Sequence, residues 1–113
     1  MLNYIMNKTL PILLFVFCLS ITYADIYDNS WALVIGIDKY ENVRPLNYAV
    51  KDAKSIQEIL VETFAFPSEN ITLLTDKEAT RENILKSFFD ITKNVQSNDR
   101  VLIFFAGHGE TMD

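Results

Sequence analysis

Three short apolar runs constrain this chain more than anything else in it: WALVIGI at residues 31–37, ITLLT at 71–75 and VLIFFA at 101–106. The first and third are unbroken rather than alternating. That pattern predicts strands covered on both faces, as in a parallel sheet held between helices. The intervals between the runs carry a helical period instead. From Asn47, a residue type that caps helices, Ala49, Ala53, Ile56, Leu60 and Phe64 fall on one stripe, and Pro67 forbids continuation. After a turn at 76–79, Thr80 is placed to cap a second helix. There Ile84, Phe88, Ile91 and Val95 form a stripe widened by Leu85 and Phe89, and Ser97-Asn98-Asp99 ends it. Strand, helix, strand, helix, strand predicts an α/β fold with right-handed crossovers. In folds of this class the second strand lies outside the first and the third on the first strand's other side. The chain stops seven residues after the third run, so the sheet reads as cut off.

Composition removes the competing classes. Half of the 113 residues are hydrophobic, enough to support a core and to argue against disorder. One cysteine cannot make an internal bridge. A net charge of −5 leaves no basic footprint for nucleic acid. The length allows one domain at most. There is no internal repeat, no Gly-rich phosphate loop and no cluster with metal-ligand spacing.

Residues 1–24 read as a secretory signal peptide. Lys8 precedes a twelve-residue apolar run (LPILLFVFCLSI, 10–21), and Thr22-Tyr23-Ala24 follows with small residues at the cleavage positions. The run is short of the ~20 residues of a membrane span, which leaves a retained anchor as the lesser reading. Met6 makes a tidier start than Met1. Phe17, bulky, sits where a lipoprotein needs a small residue before its acylated Cys18. Cleavage after Ala24 yields a secreted or periplasmic chain, residues 25–113, without cysteine, without stable membrane insertion and with a charge of −6 once Lys8 is gone. Asn70-Ile71-Thr72 matches a glycosylation sequon that matters only in a eukaryotic host.

Chemical character is concentrated in Gly107-His108-Gly109, directly after the third run. Functional groups in open α/β sheets collect beyond the carboxyl ends of strands. His108 is the only histidine, and an imidazole there can accept and donate a proton near neutral pH. Flanking glycines let the backbone turn and approach a ligand. Taken by itself, the segment is equally a turn that contains a histidine.

Four segments in one order change that balance: WALVIGIDKY (31–40), LNYAVKDA (46–53), LLTD with Ala79-Thr80 (73–80), and DRVLIFFAGHG (99–109). In this register the chain resembles the caspase-like domain, peptidase family C14, and most its metacaspase branch. The resemblance covers residues 31–110, about the amino-terminal half of such a domain. It implies an α/β/α sandwich with a mostly parallel sheet, truncated here after the third strand, and cysteine-dependent endopeptidase chemistry on a protein or peptide substrate. His108 matches the family's catalytic histidine. Gly109 matches the residue whose backbone N–H helps hold the oxyanion. The family's nucleophilic Cys follows its His by roughly 50 residues. This chain ends five residues after His108, so it is expected to be inactive as given. Asp52 matches the metacaspase acid that lines the pocket for a basic side chain, implying cleavage after Arg or Lys. Ala49 departs from the pattern, since a pocket-lining Cys is usual there, and Asp52 is also an ordinary acid at a positive helix start. Animal caspases use an arginine for an acidic substrate; Leu46 aligns with it, and Arg44 stands two residues away. Asp38, Tyr40 and Asp76 lie on the same rim, where a turn acid, a packing aromatic and a helix-approach residue are the plainer readings. No cofactor is implied. Calcium activates several metacaspases, but its ligands are not identifiable in this half. The alternative function is a non-catalytic caspase-like interaction module.

Overall fold

A computed structural model describes residues 26–109. The leader expected at 1–24, with its cleavage site, and Glu110 lie outside the described residues. The order of elements is β1 (Ser30–Gly36), α1 (Ala49–Glu62), β2 (Ile71–Thr75), α2 (Arg81–Asn94) and β3 (Arg100–Ala106), with 3-10 turns at Ser68–Asn70 and Asp76–Glu78. The sheet is parallel throughout, in the order β2-β1-β3 expected from the sequence. The first connection steps from β1 to β2, and the second steps back past β1 to β3. Two crossovers of one hand leaving in opposite directions put their helices on opposite faces. The core divides accordingly. Ala32 and Val34 pack with Ala53, Leu60 and Phe66 on the α1 face, while Leu33 and Ile35 pack with Leu74 and Ile91 on the α2 face. Both faces of β1 are therefore buried, and Leu33 and Val34 are wholly inaccessible.

The third strand departs from expectation. Its run is unbroken in apolar residues, yet Leu102 and Phe104 join the α1-side core while Val101, Ile103 and Phe105 are about half exposed. The α2-side core is built on β1 and β2 and includes no β3 residue.

Both helices also correct the sequence reading in detail. In α1, Ala49, Ala53 and Leu60 are buried and Ile56 is half-buried, but Phe64 lies beyond the helix end and is exposed. Ala65 takes a left-handed conformation (φ 57°) that redirects the chain, and Phe66 fills the core in its place. In α2 the inward positions are Ile84, Ser87, Ile91 and Val95. Ser87 satisfies its buried hydroxyl by donating to the Asn83 carbonyl (2.8 Å), and Leu85, Phe88 and Phe89 are exposed. Thr80 caps α2 as expected, its Oγ1 accepting from the Asn83 N–H at 3.1 Å.

Asn47 does not cap α1. The Ala49 N–H instead donates to the carboxylate of Asp38, two residues past β1 (2.8 Å). An acid at that end also complements the helix dipole. α1 crosses the end of β1 very closely: a Cβ on Gly36 would lie 2.6 Å from the Ala49 carbonyl oxygen and 2.7 Å from Ala53 Cβ. Only glycine fits, and Ala49 belongs to this packing.

Candidate active site

Pairing of Gly36 with both Thr75 and Ala106 aligns the carboxyl ends of the three strands. Asp38, Tyr40, Asp76, Gly107 and His108 thus meet on one rim, although the outermost of them, Asp38 and His108, are 70 positions apart in sequence. Open α/β sheets bind ligands at such a rim.

Asp76 sits in the left-handed region (φ 45°) immediately after β2. Asp is one of the few residue types that tolerate it. Its Oδ1 accepts two successive backbone N–H groups, from Asp38 (2.9 Å) and Lys39 (3.1 Å). Those two bonds, the Lys39 one first, hold the carboxyl below the usual range for Asp. Asp38 then closes the following loop on itself. Its carbonyl accepts from the Leu46 N–H (2.7 Å) while its side chain caps α1.

The closed loop, residues 38–46, carries two groups that reach His108. The His108 backbone N–H donates to the Tyr40 hydroxyl (2.7 Å), and the two rings meet edge to face at 5.0 Å. The imidazole Nε2 lies 2.9 Å from the Arg44 carbonyl oxygen. A carbonyl only accepts, so Nε2 carries the hydrogen and Nδ1 is left as the free base of the neutral ring. His108 is exposed and its Nδ1 makes no hydrogen bond among the described residues. A base oriented by a third group is the arrangement that nucleophilic catalysis requires.

Gly107 is needed for space, not for an unusual φ: a Cβ there would collide with the Tyr40 hydroxyl and sit 2.8 Å from Phe105 Cζ. Around Gly109 the space is open, with nothing within 4 Å of such a Cβ. Asp52 lies in the first turn of α1, exposed, and its carboxylate makes no hydrogen bond among the described residues. The structure therefore brings His108 together with Tyr40 and Arg44, Gly109 follows it in open space, and no hydrogen bond among the described residues joins Asp52 to them. Arg44 enters through its backbone carbonyl, which no side-chain pattern could announce. Asp38 and Asp76 do more than turn the chain. Their signal in the sequence is an acid just beyond each of two neighbouring strand ends. The open cleft beside Tyr40 carries both signs of charge, Lys39 and Lys77 with Glu41, Asp76 and Glu78. Among the described residues, no group of three or more Asp, Glu, His or Cys side chains is placed to hold a metal ion.

A match to the caspase-domain family (peptidase C14) spans residues 29–113. The chain belongs to the caspase-domain family. Relatives of this caspase-domain chain include metacaspase-1A of Aspergillus oryzae, 33% identical over 84 residues, covering 69% of this chain and 20% of the relative. Metacaspase-1 of Eremothecium gossypii is 30% identical over 98 residues, covering 80% and 22%. Metacaspase-1 of Cryptococcus neoformans is 31% identical over 93 residues, covering 77% and 20%. The chain thus spans about a fifth of the length of the curated relatives it matches. The three-stranded parallel sheet with two helices is consistent with a truncated caspase-like fold.

Proposed function

We propose that the protein is a cysteine endopeptidase of the metacaspase type, cutting after Arg or Lys, with His108 handling the protons. The observation that carries this reading is the double hold on His108, by the Tyr40 hydroxyl and the Arg44 carbonyl, within a caspase-domain chain. The nucleophile of this reading is a cysteine thiolate, which residues 25–113 do not contain, so residues 1–113 by themselves should turn nothing over. The thiolate sulfur bonds to the scissile carbonyl carbon, and the oxygen takes up the negative charge near the Gly109 N–H. The C–N bond then breaks as His108 Nδ1, which has taken the thiol proton, gives that proton to the leaving amine, and water releases the acyl group from sulfur. Asp52 selects the substrate by pairing with its guanidinium or ammonium group. Residues 1–24 direct export, leaving Asp25 as the mature amino terminus of a secreted or periplasmic protein.

The test is hydrolysis of matched fluorogenic peptides ending in Arg, Lys or Asp by the full-length protein. Preference for Arg and Lys is the expected result. Preference for Asp would transfer the specificity role to the Arg44 region, and cleavage of none would leave a caspase-like interaction module. Mass spectrometry of the exported form should find Asp25 first, and an intact Met1 or Met6 would refute cleavage.

A further inference from the structure

We propose that Asp76 is a positioning residue for His108, acting through the loop at 38–46; this rests on the peptidase reading above. No hydrogen bond joins Asp76 to Tyr40, Arg44 or His108. It fixes the two amides at the root of the loop, those of Asp38 and Lys39. Tyr40 is the next residue, and its hydroxyl holds the His108 amide. Asp38, held by Asp76, in turn pins Leu46 through its carbonyl, and two residues earlier the Arg44 carbonyl meets Nε2. Both contacts to His108 therefore hang from a loop whose root and far end are tied to the same pair of acids.

The backbone supports a dedicated role. A left-handed residue other than glycine carries a conformational cost. Any turn could be made there with glycine. An aspartate at φ 45° makes the turn and also supplies one oxygen to two donors. Loss of the carboxylate frees the loop root, and a displacement of about 1 Å in a catalytic group can cost ~10²-fold in rate.

The experiment compares Asp76→Gly with Asp76→Asn in the full-length protein. Glycine keeps the left-handed turn at no steric cost and removes the acceptor, whereas asparagine retains both turn and acceptor oxygen. Hydrogen exchange is read at the Leu46 and His108 amides, which Asp76 does not touch. Both should exchange about tenfold faster or more in Asp76→Gly, remain near wild type in Asp76→Asn, and leave the β1 amides unchanged. Peptidase kinetics provide the second readout: kcat should fall by ~10–10²-fold in Asp76→Gly with KM within about twofold, and Asp76→Asn should restore it. Unchanged exchange at Leu46 and His108 in the glycine variant would overturn the proposal. A wild-type protein without peptidase activity would sink the peptidase reading instead, and exchange would still decide the role of Asp76.

Discussion

The two ends of the sheet use polar side chains differently. At the amino-terminal end, side chains bond to side chains across strands. The Trp31 indole N–H donates to Asp99 Oδ2 (3.0 Å), and Arg100 Nε donates to the buried Ser30 hydroxyl (2.6 Å). The Arg100 guanidinium also lies over the Phe66 ring at 4.2 Å and donates to the Phe64 carbonyl. These contacts join β1 to β3 and to the segment after α1. At the carboxyl end, Asp38, Tyr40 and Asp76 bond to backbone groups, and what they shape is a loop. The first arrangement ties strands together and the second aims an imidazole. Substitutions at the first end should therefore cost stability, and those at the second should cost function while sparing the fold.

The largest effect that would break this contrast is expected at Gly107. In Gly107→Ala the new Cβ meets the Tyr40 hydroxyl and the Phe105 ring edge, both side-chain ends that can give way. The full-length protein should melt within a few degrees of wild type yet lose ~10²-fold in kcat, because Tyr40 is pushed off the His108 amide. A large drop in Tm with activity intact would reverse the assignment of the two ends. Asp52→Asn comes next. Asp52 is exposed in this structure, so the loss is that of a charge-assisted bond, ~1.5–3 kcal/mol. That corresponds to roughly one to two powers of ten in kcat/KM on Arg peptides. An unchanged Arg-to-Asp preference would remove Asp52 from the specificity pocket.

How much of this was legible in the sequence also divides by region. Strands whose burial depends only on their own side chains could be read directly, and β2 falls at 71–75 as its apolar run indicated. The cap at Thr80 is local and could be read as well. Choices among neighbouring aromatics could not. Phe66 replaces Phe64 in the core because of the left-handed Ala65, and Ser87 takes the buried place that volume alone would give to Phe88. The exposed face of β3 is not legible in its apolar run, because coverage belongs to neighbouring elements, not to the strand. Within the site, the motif points to His108 and Gly109, while Asp76 reads from sequence as a helix-approach residue. Its bonds to residues 37 and 38 positions away, and the Arg44 carbonyl 64 away from His108, exist only once the strands are in register.

At the amino-terminal end, Ser30→Ala should lower stability by about 1–3 kcal/mol, since it removes a buried acceptor from a charged donor. Chemical denaturation measures this, and kcat/KM at 25 °C should stay within about twofold of wild type. The smallest effect concerns acid. Asp76 is held below the usual Asp value by the amides of Lys39 and Asp38, and Asp99 by the Trp31 indole and then the Gln96 amide. A depressed folded-state pKa stabilises above the unfolded value, here 3.8, and that contribution disappears as pH falls through the folded pKa. Tm should therefore be insensitive to these groups at neutral pH and begin to fall below about pH 4. Trp31→Phe and Asp76→Asn should each flatten that acid limb. The Trp31 variant should keep normal kinetics at neutral pH, and a kinetic defect in it would blur the division between the two ends.

The central claim, that the rim assembled around His108 is the catalytic end of a cysteine peptidase, is tested most directly by turnover and melting of full-length His108→Ala beside wild type. The expected result is wild-type cleavage of Arg and Lys peptides, a loss of ~10²–10⁴-fold or more in the variant on every substrate, and an unchanged Tm. Retained turnover in a folded His108→Ala protein would contradict it.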